Sequence, residues 1–109
     1  MIKSLKDKNY KIFLLSNINP YTHESIKKSG IFEIIDGYVF SYQEHKVKPY
    51  ISIYKTLLER YSLIPSESVF IDDNIENIRT GNSLGIISKK VEPDNYETIV
   101  NVIKELNLI

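Results

Sequence analysis

The feature that most constrains this chain is Val69-Phe-Ile-Asp-Asp-Asn-Ile-Glu-Asn-Ile-Arg-Thr-Gly-Asn-Ser-Leu-Gly85, an apolar run that ends at two adjacent carboxylates and gives way to a helix-like segment. Val69, Phe70 and Ile71 are β-branched or aromatic with no polar residue among them, which predicts a strand buried on both faces of a parallel sheet. Asn74 is placed to cap the following helix, whose inward face is expected to be Ile75, Ile78 and Leu84, with Gly85 as its stop. Ligands of open α/β sheets gather at the carboxyl ends of the strands, so Asp72 and Asp73 stand where chemistry is expected. Two like charges ~4 Å apart repel by about 4 kcal/mol at an effective dielectric of about 20, and a divalent cation is the usual way to offset that. An oxygen-only ligand set favours Mg²⁺, Mn²⁺ or Ca²⁺, and Mg²⁺ commonly takes one or two carboxylates with waters and substrate phosphate. The structural reading of an isolated Asp-Asp is that one carboxylate caps the helix and the other is solvated.

The rest of the chain alternates strand and helix. Residues 1–9 read as the last turns of a helix with Ile2 and Leu5 inward and Asn9 at a left-handed terminal position. Lys11 to Ser16 reads as a strand, and it ends at Ser16-Asn17, small polar groups suited to hydrogen-bonding an anion. Pro20 opens a helix to about Lys28, with Gly30 beyond its end. A short strand from Tyr38 to Ser41 is predicted after the turn at Asp36-Gly37. Pro49 is expected at the first position of a helix running from Tyr50 to Tyr61, with Ile51, Tyr54, Leu57, Leu58 and Tyr61 on one stripe. That puts Lys48 at a helix N-terminus, where a cation opposes the dipole; a solvated lysine is the commoner fate of such a residue, but the unfavourable placement invites a functional explanation. Gly85 to Ser88 reads as a last strand, and Asp94 as the cap of a closing helix with Tyr96, Ile99, Ile103 and Leu106 inward.

Alternation of this kind predicts an α/β fold, a three-layer, Rossmann-like parallel sheet with helices on both faces. The length, 109 residues, is that of one domain. With 14 basic and 14 acidic residues the formal charge is zero, so neither nucleic acid nor an anionic membrane is an expected partner. There are no cysteines, which excludes disulfides and thiolate metal sites. No apolar run approaches the length of a membrane span and the N-terminus has no signal core, so a cytoplasmic location is expected. His23 and His45 are expected at the surface.

Three marks stand in order: Leu14-Leu15-Ser16-Asn17, then Lys48-Pro49, then Phe70-Ile71-Asp72-Asp73 with Asn77 following. Together with Gly30-Ile-Phe32 and Leu84-Gly85-Ile86 in place, this pattern resembles the haloacid dehalogenase superfamily of hydrolases, in its small phosphatase-like branch, over about Ile2 to Leu106. The resemblance implies a Mg²⁺-dependent phosphohydrolase core acting on a small phosphorylated substrate. Ser16 would then hydrogen-bond the phosphoryl group with help from the backbone at Asn17, and Lys48 would neutralise phosphate charge. Asp73 would hold Mg²⁺ directly and Asp72 through water, with Asn77 supporting or capping.

The chain departs from that pattern in three places. The Asp-x-Asp motif that carries the family's nucleophile and acid–base aspartates is absent: Asp7 precedes the first strand and Asp36 lies in a turn. The cap domain that selects substrates in this branch is missing too. His45 stands where the family commonly has glycine before Lys-Pro. In the family fold the nucleophile strand lies between the strands of Ser16 and Asp72, so this chain is expected to lack its central first strand. Leaving a ladder unmade there costs about 1 kcal/mol per bond, against a total stability of about 5–15 kcal/mol. The two neighbouring strands would close up, or another segment, the missing N-terminal part or a second copy, would complete the sheet. The closing helix reads as a natural C-terminus, which places the loss at the N-terminal side. On this reading residues 1–109 are a partial core, inactive alone. The alternative is a non-catalytic module that binds phosphate and Mg²⁺. A response-regulator receiver also uses paired acids, a hydroxyl and Lys-Pro, but its acidic pair comes first, whereas here Ser16 and Lys48 precede Asp72.

Overall fold

The structure, a computed structural model, describes residues 2–108. They form two compact units, Ile2–Ser62 and the segment from Leu63 onward. Each is built on one pair of parallel strands. Helices connecting parallel strands are the α/β class expected of the sequence.

In the first unit, helix α1 (Ile2–Asp7) ends as Asn9 turns left-handed at φ 67°. The Asn9 N–H bonds to the Lys6 carbonyl at 2.9 Å and the Tyr10 N–H to the Leu5 carbonyl at 3.1 Å, the reciprocal pair of a Schellman cap. Strand β1 (Phe13–Ser16) pairs with β2 (Gly37–Phe40), Phe13 opposite Gly37 and Ser16 opposite Phe40. Between them α2 (Pro20–Lys28) is capped by Asn19, whose side chain accepts from the Thr22 N–H. β2 starts at a glycine because the Tyr61 ring lies where a Cβ would be. The Tyr61 hydroxyl meanwhile accepts from the Tyr38 N–H at 3.0 Å and donates to the Tyr38 carbonyl at 3.1 Å. Asp36 joins the strand starts, its Oδ2 accepting from Lys6 Nζ at 2.6 Å and the Ile12 N–H at 2.7 Å. These donors, Lys6 first, hold its carboxyl below the usual range.

Ser41 was expected to end β2, but it begins a short helix, α3 (Ser41–Glu44). His45 closes that helix in the left-handed region at φ 56°, which explains why glycine suits the position. Helix α4 (Ile51–Arg60) buries Ile53 and Tyr54, whereas Ile51, expected inside, is 45% exposed at the helix's first residue. His23 corrects another expectation. It is half-buried, with its ring 4.9 Å from Phe40 and 5.4 Å from Phe32, and its Nδ1 lies 2.5 Å from the Tyr42 hydroxyl. The core of this unit is Leu5, Val39, Phe40, Ile53 and Tyr54.

In the second unit, β3 (Val69–Asp72) pairs with β4 (Ile87–Lys90), Val69 opposite Ile87 and Asp72 opposite Lys90. β3 is half-buried along its length, not buried on both faces as its apolar run implied. Helix α5 (Ile75–Ser83) is capped by Asn74, whose side chain accepts from the N–H groups of Glu76 and Asn77. Its buried stripe is Asn77, Ile78 and Gly81, leaving Ile75 at 44% exposure on the margin. Polar and small residues take the inward positions because the helix lies close on the strands: a Cβ at Gly81 would collide with Ser88 Oγ. Gly85, at φ 82°, ends α5 with its N–H on the Asn82 carbonyl while the Ile86 N–H reaches the Gly81 carbonyl. Gly85 and Ile86 are spent on that cap, so β4 begins two residues later than the apolar run predicted. Helix α6 (Tyr96–Glu105) is preceded by Asn95 as N-cap, one residue past the expected Asp94, which is left-handed at φ 58°. α6 buries Val102 and Ile103; Tyr96, its first residue, is 60% exposed.

Candidate functional site

Parallel pairing brings the carboxyl ends of both strands in a pair to one edge, and each unit carries its expected site residues there. At the end of β1, the Asn17 side chain exchanges two hydrogen bonds with the main chain of Lys48. Its Oδ1 accepts the Lys48 N–H at 2.9 Å and its Nδ2 donates to the Lys48 carbonyl at 3.1 Å. An amide is the one uncharged side-chain group that copies both halves of a peptide, so this contact works like a rung of backbone ladder across 31 residues of sequence.

Lys48 is not at a helix N-terminus. Lys48 and Pro49 are the central residues of a turn closed by the Tyr50 N–H on the Val47 carbonyl at 3.0 Å, and the peptide between them is cis. Tyr50 is the extended N-cap of α4, so the helix starts at Ile51. The chain cannot both close a turn over Val47–Tyr50 and supply the first helical residues from it. Lys48 is therefore spared the dipole opposition expected of it, and what positions it is Asn17. Two side-chain contacts brace the approach to this turn. Arg60 forms a two-pronged pair with Glu44 at 3.0 and 2.7 Å, holding the Glu44 carboxyl below its usual range, and Lys46 Nζ donates to Thr56 Oγ1 at 2.8 Å.

Ser41 was not singled out by the sequence. It is buried, and its Oγ accepts from the Ile18 N–H at 2.9 Å and donates to the Ile18 carbonyl at 3.1 Å. A lone serine after a strand has no signature; only the register, with Ser16 opposite Phe40, sets it beside the loop.

In the second unit, Asp72 ends β3 half-buried and Asp73 is exposed. Asp72 Oδ1 accepts from the Asn74 N–H at 2.9 Å and from Asn77 Nδ2 at 3.2 Å. Asn77 is buried, so one turn of α5 is devoted to orienting this carboxylate, the supporting role allowed for it by the sequence. Asp73 lies on the wall of an open cavity of about 510 Å³, with Ile71, Ile99 and Tyr96 as apolar lining and Glu92 and Asp94 beside them. Among the described residues no group of three or more His, Cys, Asp or Glu side chains is arranged to hold a metal. The donors at the end of β3 are two carboxylates, one fixed by amide groups. Such a pair fits Mg²⁺, which takes its remaining ligands from water and substrate phosphate.

Residues 1–85 match the sequence profile of the haloacid dehalogenase-like hydrolases. The chain belongs to this family. D-ribitol-5-phosphate phosphatase of Bacteroides thetaiotaomicron is 32% identical, over 81% of this chain and 45% of its own length. A predicted HAD-like family hydrolase of Porphyromonas gingivalis superposes with a TM-score of 0.85 at 29% identity, over 97% of this chain and 54% of that one. An HAD family enzyme of Bacteroides thetaiotaomicron, solved with magnesium and inorganic phosphate, gives 0.80 at 26% identity, over 86% of this chain and 50% of that one. The chain thus spans about half the length of the relatives it matches. Among the described residues no helix is long and apolar enough to cross a membrane.

Proposed function

We propose that this chain is the phosphate- and Mg²⁺-binding part of an HAD-like phosphohydrolase core that acts in the cytoplasm on small phosphate monoesters. The observation that carries the reading is the Asn17–Lys48 exchange, which holds the main chain of a lysine against the loop at the end of β1. Ser16 and the backbone at Asn17 hydrogen-bond the phosphoryl oxygens, and Lys48 offsets their charge, the electrostatic contribution that dominates many such sites. Asp73 holds Mg²⁺ directly and Asp72, kept in place by Asn74 and Asn77, acts through a bound water. A divalent cation held there would stabilise negative charge on an oxygen ligand that it binds. What the residues do not include is an attacking carboxylate, since the chain has no Asp-x-Asp. Turnover then depends on a further segment, supplied upstream or by a second chain, that adds this motif and completes the core. Without it the chain is a binding module.

The purified chain should leave an aryl phosphate intact in the presence of Mg²⁺, and a chain extended upstream through an Asp-x-Asp strand should hydrolyse it. Titration calorimetry should show weak Mg²⁺ binding, reduced more by Asp73→Asn than by Asp72→Asn. Turnover by the 109-residue chain that Asp73→Asn abolishes would refute the binding-module reading. Equal, unchanged Mg²⁺ binding in both variants would remove the acidic pair from the site.

A further inference from the structure

β2 leaves the ladder at Phe40, where α3 begins, so the loop that follows β1 runs on past the last backbone partner the strand pair provides. Three successive loop residues are nevertheless held, each by a side chain. Asn17 grips the Lys48 main chain, Ile18 is gripped at both N–H and carbonyl by Ser41 Oγ, and Asn19 closes onto the Thr22 N–H at the start of α2. Ser41 is the member of this set buried in the core, at 8% exposure, and it stands next to Phe40, which is wholly buried. Its hydroxyl therefore ties the loop to the buried core of the unit. A hydroxyl that accepts from the N–H and donates to the carbonyl of one residue ties down the peptide groups on both sides of it.

We propose that Ser41 is a positioning residue of the phosphate site: by holding Ile18 it sets the loop of Ser16 and Asn17, and through Asn17 the Lys48 turn, before phosphate arrives. This rests on the reading of Ser16, Asn17 and Lys48 as phosphate ligands. A site assembled in advance does not have to order its loop when it binds, and that saving appears as affinity. Ser41 touches no phosphate; its effect passes through Ile18.

The test is a titration of the 109-residue chain with inorganic phosphate, followed by amide NMR, alongside urea unfolding. Ser41→Ala should weaken phosphate about tenfold and speed hydrogen exchange at the Ile18 and Lys48 amides, leaving Phe40 protected. Ser41→Cys, close in shape but a poor hydrogen-bonding group, should behave as Ser41→Ala, and Ser41→Thr should recover most of the affinity. Ile53→Val, a core change in the same unit, serves as a stability control and should bind phosphate like the unsubstituted chain. Full affinity in Ser41→Ala would overturn the inference alone, and so would an equal loss in Ile53→Val, which would mark the effect as general loosening. No binding by the unsubstituted chain would overturn the phosphate-site reading and the inference with it.

Discussion

Replacing Asn77 by aspartate should turn a support of Asp72 into an opponent of it. The native contact is an amide N–H donated at 3.2 Å to a carboxylate oxygen from a buried position. A carboxylate at position 77 loses that donor and sets a second negative charge against the first. The repulsion is ~4 kcal/mol at ~4 Å and an effective dielectric of about 20. Taking up a proton relieves it, at a cost at pH 7 of about 4 kcal/mol for a carboxyl whose unfolded pKa is ~3.9. The protonated acid can again donate to Asp72 Oδ1. Asn77→Asp should therefore destabilise by about 4 kcal/mol at pH 7 and by about 1 kcal/mol at pH 4.5, where protonation costs little. The sign follows from linkage: the introduced carboxyl has a folded pKa raised above its unfolded value, so its stability is retained below the unfolded pKa and lost as pH rises through the folded one. Asn77→Ala removes the donor without adding a charge and should cost a flat ~1.5–3 kcal/mol between pH 5 and 8. Urea unfolding at four pH values separates the two. A pH-independent Asn77→Asp penalty would show that position 77 does not face the Asp72 carboxylate, and would refute the supporting role assigned to Asn77.

Two further outcomes follow from packing and charge. Gly81→Ala places a helix former mid-helix, ordinarily worth about 1 kcal/mol. Here the new Cβ would strike Ser88 Oγ and crowd the Phe70 ring, and overpacking of about 1–3 kcal/mol should prevail; a raised melting temperature in Gly81→Ala would contradict this close approach of α5 to the strands. Asp36, whose carboxyl is held low first by Lys6 and then by the Ile12 N–H, stabilises the fold above its unfolded pKa and loses that contribution as pH falls through its folded pKa. Acid titration of Asp36→Asn should show a penalty at pH 7 that shrinks as pH falls below ~4, where the unfolded chain takes up a proton that the folded Asp36 still resists; a penalty constant down to pH 2 would mean that the Lys6 and Ile12 contacts do not depend on the charge.

Signals written in neighbouring residues were legible in the sequence. The apolar run ending at Asp72-Asp73, the Asn74 cap, the Gly85 stop and the left-handed Asn9 all depend on a few adjacent residues, and each stands where the sequence placed it. The order and spacing of Ser16, Lys48 and the acidic pair, with Gly30-Ile-Phe32 and Leu84-Gly85-Ile86 in place, pointed to the family that the sequence profile shows. Tertiary structure decided what depends on distant partners. β4 starts late because Gly85 and Ile86 are used to cap α5, and Asn77 and Gly81 displace Ile75 from the inward stripe because that helix lies so close to β3 and β4. His23 is half-buried because Phe32, Tyr38, Phe40 and Tyr42 converge on it. Above all, the sequence assigned the placement of Lys48 to a helix start, whereas the fold assigns it to Asn17. A hydrogen bond between residues far apart along the chain leaves no periodicity or spacing to read. It exists only once the strands have set their register.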